Sequence, residues 1–392
     1  MTSMKCLVLT SEYPPSKGGV ANAAATFSRE MAARGWTVEI AAVEVSGQPD
    51  LELAPEGTIH RLKVRGDASI WKPLAGEVDR FDALVKEFAP DVAVIHGWQG
   101  WCVRGVPRLR AVGVPVILQS HGFGMHRMVW NARPPFGLKI WGGYLPFVLK
   151  LPSFIRRLHA LSVLSKEPRF LTGFDHWIGV KSGCRNVLTI PNGVVKVEGS
   201  REAFLATCPA AVGRPIILCV ANYCDRKNQL QALEVARQPG MENAFFAFIG
   251  GENNTYSRML AAKIAEWGLN DRVALLHGVS RDFTESTITA CTIALMTSKW
   301  EMQPLFLLEA MSAGKPWVST DVGSVQELHG GIISPGDTKA LAANVIKLLD
   351  DTAHAKCLGQ QGADQWISEF SPPVVYDRWH KLLVSATQPA HT

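Results

Sequence analysis

Short apolar runs recur along the chain, each followed by a loop and then by a segment whose apolar residues return every three or four positions. The first run covers residues 5–10. A loop with Pro14, Pro15, Gly18 and Gly19 follows, and then a helix with Val20, Ala23, Phe27 and Met31 on one face, stopped at Gly35. The alternation resumes with strands expected at 38–43, 92–96 and 114–119. A second series opens at 215–221, passes through a polar loop (Asn222 to Asn228) into a helix starting near Gln229, and continues with strands at 244–250, 273–276, 293–296 and 317–319. Buried strands that alternate with helices imply an α/β chain of parallel sheets covered on both faces. A Pro191-Asn192-Gly193 turn and a polar linker divide the series. The expected division is 1–195, 196–370 and, after Ser371-Pro372-Pro373, a terminal helix and tail over 371–392. Ligands of such sheets bind at the carboxyl ends of the strands, so two such domains facing each other would frame a cleft.

Composition narrows this further. The 392 residues are 47% hydrophobic and 19% charged, enough apolar material for sizeable cores. The run 141–149 is too short and too rich in glycine and proline to span a bilayer, and the first apolar run is too short for a signal peptide. Eight cysteines without CxxC spacing, some inside strand-like runs (Cys6, Cys219), read as reduced thiols of a cytoplasmic protein. The net charge of +5 is unevenly spread. Between Asp91 and Glu167 there is no acidic residue, while ten basic ones occur, among them Arg127, Lys139, Lys150, Arg156 and Arg157. Such a stretch favours an anionic partner.

The most informative segment runs from Thr297 to Pro316. Glu301 lies in the loop after the strand ending at Met296. Pro304 suits the first turn of the next helix, Leu305, Leu308 and Met311 give it a buried face, and Gly314 and Pro316 stop it. Glu309 sits inside this apolar helix and needs a partner, either the hydroxyl pair of a ribose or a structural bond to backbone or a lysine. The helix start near Gln303 to Leu305 offers amides to an anion or polar ligand. Gly18 and Gly19 let backbone approach a phosphate at the start of the first long helix. His121 and His96 each end a strand and precede a glycine, and they compete for one role near a reacting centre. No Asp-x-Asp and no His/Cys/Asp cluster at ligand spacing occurs, so no obligate metal and no cofactor are expected. No nucleic-acid motif is present.

Glu301 and Glu309, eight positions apart, with Ala310-Met311 before Ala313-Gly314 and Pro316, resemble the E-x7-E motif of the retaining glycosyltransferases of family 4. Pro14 to Val20 resembles that family's N-terminal glycine loop, His121-Gly122 its His-Gly, and Ile190 to Gly193 its interdomain Pro-Asn-Gly. The resemblance extends over nearly the whole chain. It implies a GT-B fold of two Rossmann-like domains, the first binding the acceptor and the second a nucleotide-sugar donor. It implies that Glu309 binds the donor ribose, that Glu301 touches sugar hydroxyls, and that the backbone from Met302 through Gln303 and Pro304 to Leu305 helps hold sugar and phosphates. His121 would touch the donor sugar or the reacting centre, and Lys227 would balance the leaving diphosphate. Family members carry an arginine about five residues before that lysine. Here the position is Asn222, and Arg226 is the candidate for the second positive charge.

The resemblance also implies transfer with retention, the leaving diphosphate taking the acceptor proton. The acid-free stretch mixes Trp130, Trp141, Tyr144, Phe147 and Phe154 with its basic residues. That mixture suits peripheral contact with an anionic membrane, on the inner face of the cytoplasmic membrane, delivering a glycan or lipid-linked acceptor. The bland reading of the same stretch is a basic, partly buried helical hairpin. Two alternatives stay open: a non-catalytic nucleotide-sugar binding subunit, and a nucleotide-sugar epimerase of similar fold.

Overall fold

A computed structural model of the protein describes residues 3–16, 18–65, 72–98, 100–122, 149–165 and 174–388. Lys17, Arg127, Trp130, Lys139, Trp141, Tyr144 and Phe147 lie outside the described residues. The chain forms two compact units, 1–193 with 375–392, and 194–374. The terminal helix, Pro372–Thr387, thus joins the first unit from Val375 on.

The first unit is built on strands β1 (Lys5–Thr10), β2 (Thr37–Val43), β3 (Leu51–Ala54) and β4 (Gly57–Leu62), a small pair β5 (Val64–Arg65) and β6 (Ala75–Gly76), then β7 (Val92–His96), β8 (Val116–Gln119), β9 (Ala160–Val163) and β10 (Val187–Thr189). The main sheet runs β10-β9-β8-β7-β1-β2-β4-β3. Every neighbouring pair is parallel except the edge pair β3 and β4. Successive residues point to opposite faces, and both faces are covered. Leu7, Leu9, Ala93 and Ile95 enter one core, with Trp98, Trp101 and Phe81. Cys6, Val8, Val92 and Val94 enter the other, with Phe27, Met31, Tyr376 and Trp379. The last helix is therefore part of the first unit's core: Phe27 meets Trp379 edge-on at 5.1 Å, and Trp36 donates to His380 at 3.0 Å.

The second unit contains β11 (Ile216–Val220), β12 (Phe245–Gly250), β13 (Val273–His277), β14 (Ile293–Met296), β15 (Trp317–Thr320) and β16 (Gly331–Ser334). The sheet is wholly parallel in the order β13-β12-β11-β14-β15-β16. Counted from its first strand this is 3-2-1-4-5-6, the doubly wound order whose direction reverses between the first and fourth strands. The first unit reverses in the same way between β1 and β7. In both units the reversal opens a crevice at the strands' carboxyl ends.

The expected strands all occur. Those beginning near 114 and 244 start one or two residues later, at Val116 and Phe245. Strands β3 to β6, β9, β10 and β16 carried no sequence expectation. Cys6 and Cys219 are buried as expected, and burial drives the Cys219 thiol up to about 12, but Cys357 is exposed. No helix among the described residues is long and apolar enough to cross a membrane.

Candidate functional site

In the second unit the crevice lies between the loops that leave β11 and β14. The two loops are laced together: Lys299 N–H donates to Arg226 O at 2.8 Å, and Thr297 Oγ1 donates to Asn228 O at 2.9 Å. Asn228 takes a left-handed conformation, φ 53°, that turns the chain into helix Gln229–Ala236. This lacing brings Lys227 and Glu301 into an ion pair although they are 74 positions apart. Ser298 Oγ donates to the same carboxylate oxygen at 2.8 Å, and Arg226 stands 3.6 Å from the other. Arg226 also lies over the Trp300 ring at 4.5 Å, a cation–π contact that fixes its reach. Glu301 is a buried carboxylate. Its partners are what make that burial tolerable.

The backbone beyond Glu301 is held from a third strand. Thr320 Oγ1 donates to Ser298 O at 2.7 Å, and Ser324 N–H to Met302 O at 2.9 Å. Gly323, at φ +58°, passes so close that a Cβ there would stand 2.5 Å from Met302 O and 2.7 Å from Glu301 O. Helix Leu305–Ser312 then begins, with Pro304 at its N-cap. Pro304 is thus one place outside the helix rather than in its first turn, because its ψ of 103° is extended. Leu308 and Met311 are buried, while Leu305 is half-buried against the same core. The first-turn amides of Leu305 and Phe306 have no intrahelical acceptor.

Glu309, one turn further, has its partner: Arg281 Nη1 donates to Glu309 Oε1 at 2.6 Å while Arg281 Nε donates to Glu285 at 2.7 Å. Burial pushes the Glu309 carboxyl up, and Arg281 pulls it back. The partner is neither backbone nor lysine. Asn222 is exposed, and its backbone carbonyl accepts from Gln229 at 3.0 Å. It supplies no charge; Arg226 is the additional cation beside Lys227.

In the first unit, Gly18 is the N-cap and Gly19 the first residue of helix Gly19–Ala33. Buried Arg61, on β4, donates to Pro14 O at 2.9 Å and ties down the loop before them. A Cβ on Gly18 would approach Glu12 Oε2 to 2.8 Å. Across the reversal, the two histidines that competed in the sequence are hydrogen-bonded to each other. His96 Nδ1 and His121 Nε2 are 3.2 Å apart, with the rings stacked at 5.5 Å. Burial pushes both imidazoles down, His121 to about 4, so both are neutral near pH 7. Gly97 and Gly122 take φ +89° and +101°, which a side chain would oppose, so each strand turns sharply just after its histidine. Ser120 donates to the buried carboxylate of Asp175, and Gly122 N–H donates to Ser120 Oγ at 3.2 Å, setting the turn that carries His121.

Lys150, Arg156 and Arg157 are exposed. Arg156 and Arg157 stand just before Leu158 and His159, which lead into β9, and so lie at the amino edge of the sheet, whereas His121 follows β8 at the carboxyl edge. The structure does not bring them together. Sequence reasoning missed Arg281, Ser298, Thr320 and Asp175, each of which meets its partner only through the fold.

Two family models match the chain: "Glycosyl transferases group 1" over residues 201–365, and "Glycosyl transferase 4-like domain" over residues 18–172. Over 245 residues it is 28% identical to the exopolysaccharide phosphotransferase of Streptomyces coelicolor, which covers 60% of this chain and 24% of that protein. The chain spans between about a quarter and two fifths of the length of its curated relatives. Among solved structures, sucrose-phosphate synthase from Thermosynechococcus elongatus superposes with a TM-score of 0.78 at 18% identity, over 97% of this chain and 98% of that one. Anabaena HepE in complex with UDP-glucose superposes with a TM-score of 0.74 at 16% identity, over 97% and 100%. These likenesses show the GT-B fold.

Proposed function

The chain belongs to the family 4 glycosyltransferases, and on that premise we propose that it moves a hexosyl group from a nucleotide-sugar donor to a glycan or lipid-linked acceptor, with retention at the anomeric carbon. The observation that carries this reading is the Lys227–Glu301 pair at the crevice of the second sheet, with Arg226 beside it and Glu309 one turn along the next helix. The UDP-glucose bound by Anabaena HepE supports a nucleotide-sugar donor for this chain as well.

Lys227 and Arg226 would balance the negative charge that gathers on the departing diphosphate, the electrostatic contribution on which such a transfer most depends. Two lysine- or arginine-borne charges and first-turn amides do this without a divalent ion, so the reaction is expected to persist in EDTA. Glu301 would accept from sugar hydroxyls, exchanging its bond to Lys227 for bonds to the donor. Glu309, paired with Arg281, would accept from the ribose hydroxyls. The acceptor hydroxyl would attack on the face from which the nucleotide leaves and pass its proton to the leaving diphosphate, so no protein nucleophile is consumed. The neutral pair His96 and His121 would offer a hydrogen bond to the sugar or acceptor. The basic stretch containing Arg127, Lys139 and Lys150 would hold the enzyme against the anionic inner face of the cytoplasmic membrane, where a lipid-linked acceptor resides.

The experiment is nucleotide diphosphate release from UDP-, GDP-, ADP- and dTDP-sugars, with and without bacterial lipid extract, for wild type and Glu309→Ala. Release from one donor, stimulated by lipid and lost in the variant, supports the reading. Tight nucleotide binding without release from any donor supports a binding subunit instead. Release that needs no acceptor and yields an epimerised sugar would sink it.

A further inference from the structure

We infer that the first unit carries a second anion site, for a phosphate or diphosphate group, on the edge of the sheet opposite its histidine pair. A cavity of about 340 Å³ opens there, lined by Arg110, Arg156, Arg157, His159 and Arg185 over a floor that includes Pro115. Its walls are the amino ends of three neighbouring parallel strands: Pro115 leads into β8, His159 into β9, and Arg185 lies two residues before β10. The length of β8 separates it from His121, roughly 13 Å at the rise of a strand. It is therefore no part of the sugar-transfer crevice, and the inference does not depend on the transfer reading.

The charge of this cavity is what asks for a ligand. Four guanidinium groups share one opening, and among the described residues no acidic side chain lines it. Arg156 is held in the wall by donating from Nε to Ser182 O at 3.2 Å, which leaves its two terminal nitrogens for another acceptor. Arg110, Arg157 and Arg185 make no ion pair among the described residues, in contrast with Arg108, which donates to Asp82 at 2.7 Å. Asp91, at the start of the adjacent β7, spends a carboxylate oxygen on Lys5 N–H at 2.7 Å. Clustered like charges repel, and a polyanion with oxygens in several directions relieves that repulsion through forked guanidinium bonds. The cavity is at the lower end of the volume range of small-molecule sites, enough for a diphosphate with its water. The phosphate could come from a lipid headgroup or from a soluble phosphorylated compound, and both present the same oxygens.

The test measures pyrophosphate binding by calorimetry at low salt, in a background carrying Lys227→Ala and Arg226→Gln so that the nucleotide-side cations do not contribute. Saturable binding that weakens about tenfold in Arg110→Gln with Arg185→Gln, and is unchanged in Arg108→Gln, supports the site. Both substituted arginines are exposed and make no ion pair among the described residues, and an unchanged melting temperature verifies the fold. A parallel arm sediments the protein with phosphatidylglycerol vesicles against phosphatidylcholine vesicles. Vesicle binding that pyrophosphate displaces assigns the site to a headgroup, and pyrophosphate binding without vesicle binding assigns it to a soluble phosphate. No saturable pyrophosphate binding, or equal weakening by Arg108→Gln, would overturn the inference, since the attraction would then be absent or merely diffuse.

Discussion

Arg281 donates to Glu309 across 2.6 Å, joining the first residue of one helix to the middle of another, 28 positions on in the chain. The carboxylate is sunk in an apolar helix, where burial pushes its pKa up, and this guanidinium pulls it back. In Arg281→Gln the carboxyl would rise further above its ordinary value. Between the ordinary and the raised value the folded chain holds a proton that the unfolded chain has released, so stability falls as pH rises through that window. Urea midpoints from pH 4 to 8 should show a steeper decline for Arg281→Gln than for wild type. Because Arg281 is about half exposed, the loss at pH 7 should be about 1–2 kcal/mol. Equal slopes would mean that Arg281 does not govern the charge of Glu309.

Lys227→Ala is expected to lower kcat about 10²–10³-fold, the usual cost of losing one charge that stabilises the transition state. KM for the donor should change much less. Steady-state release of nucleotide diphosphate separates the two, and a change confined to KM would make Lys227 a ground-state binding group only.

His96 and His121 should stay neutral through the physiological range. Both imidazoles titrate below their ordinary value, His121 at about 4, so the unfolded chain takes up protons near pH 6.5 that the folded chain refuses. Stability contributed by this pair is present above pH 6.5 and lost on acidification toward pH 4. Imidazole NMR with assignments from His96→Asn and His121→Asn reads it directly, and a titration near pH 6.5 by either ring would contradict the buried pair.

Asn222→Arg places a cation where the resemblance to family 4 implies one. The position is exposed, and among the described residues its side chain makes no hydrogen bond that the change would break, so the fold should be indifferent. KM for the donor should fall about three- to tenfold, with a steeper dependence on salt. An unchanged KM would show that Arg226 already supplies the second charge.

Gly323→Ala puts a Cβ within 2.5 Å of Met302 O on a residue with φ +58°. The loop bearing Glu301 must shift. The expected cost is about 1–3 kcal/mol of stability, with a fall in kcat although no group of the crevice is removed. Differential scanning calorimetry and kcat measured on the same preparation test both, and full activity would place the loop's position outside catalysis.

Legibility in the sequence followed unbroken apolar runs more than burial alone, since β9, interrupted by Ser162, is buried throughout yet was missed. Strands covered on both faces, such as β1, β7, β11 and β14, are continuous apolar runs and stand out. The edge strand β3 alternates exposed and half-buried residues, and β10 has only three residues, so neither differs from loop by composition. Glu301, Lys227 and Glu309 were visible because their spacing resembles a known motif. Their companions Ser298 and Arg281 were not, because a serine in a loop and an arginine at a helix start have no signature until the chain folds. Reading His96 and His121 as rivals missed that neighbouring strands β7 and β8 end side by side, which makes them partners.

The return of the chain to its first unit also orders events on the ribosome. The second unit has every residue it needs once position 374 has emerged, although its synthesis starts only at 194. The first unit, begun earlier, still lacks Tyr376, Trp379 and Leu383, which close the core around Phe27. Domains ordinarily fold in the order of their synthesis. Here the earlier-born half must wait for the last, and a ribosome that stalls before Val375 would release a chain whose second half is complete and whose first half holds an open apolar face.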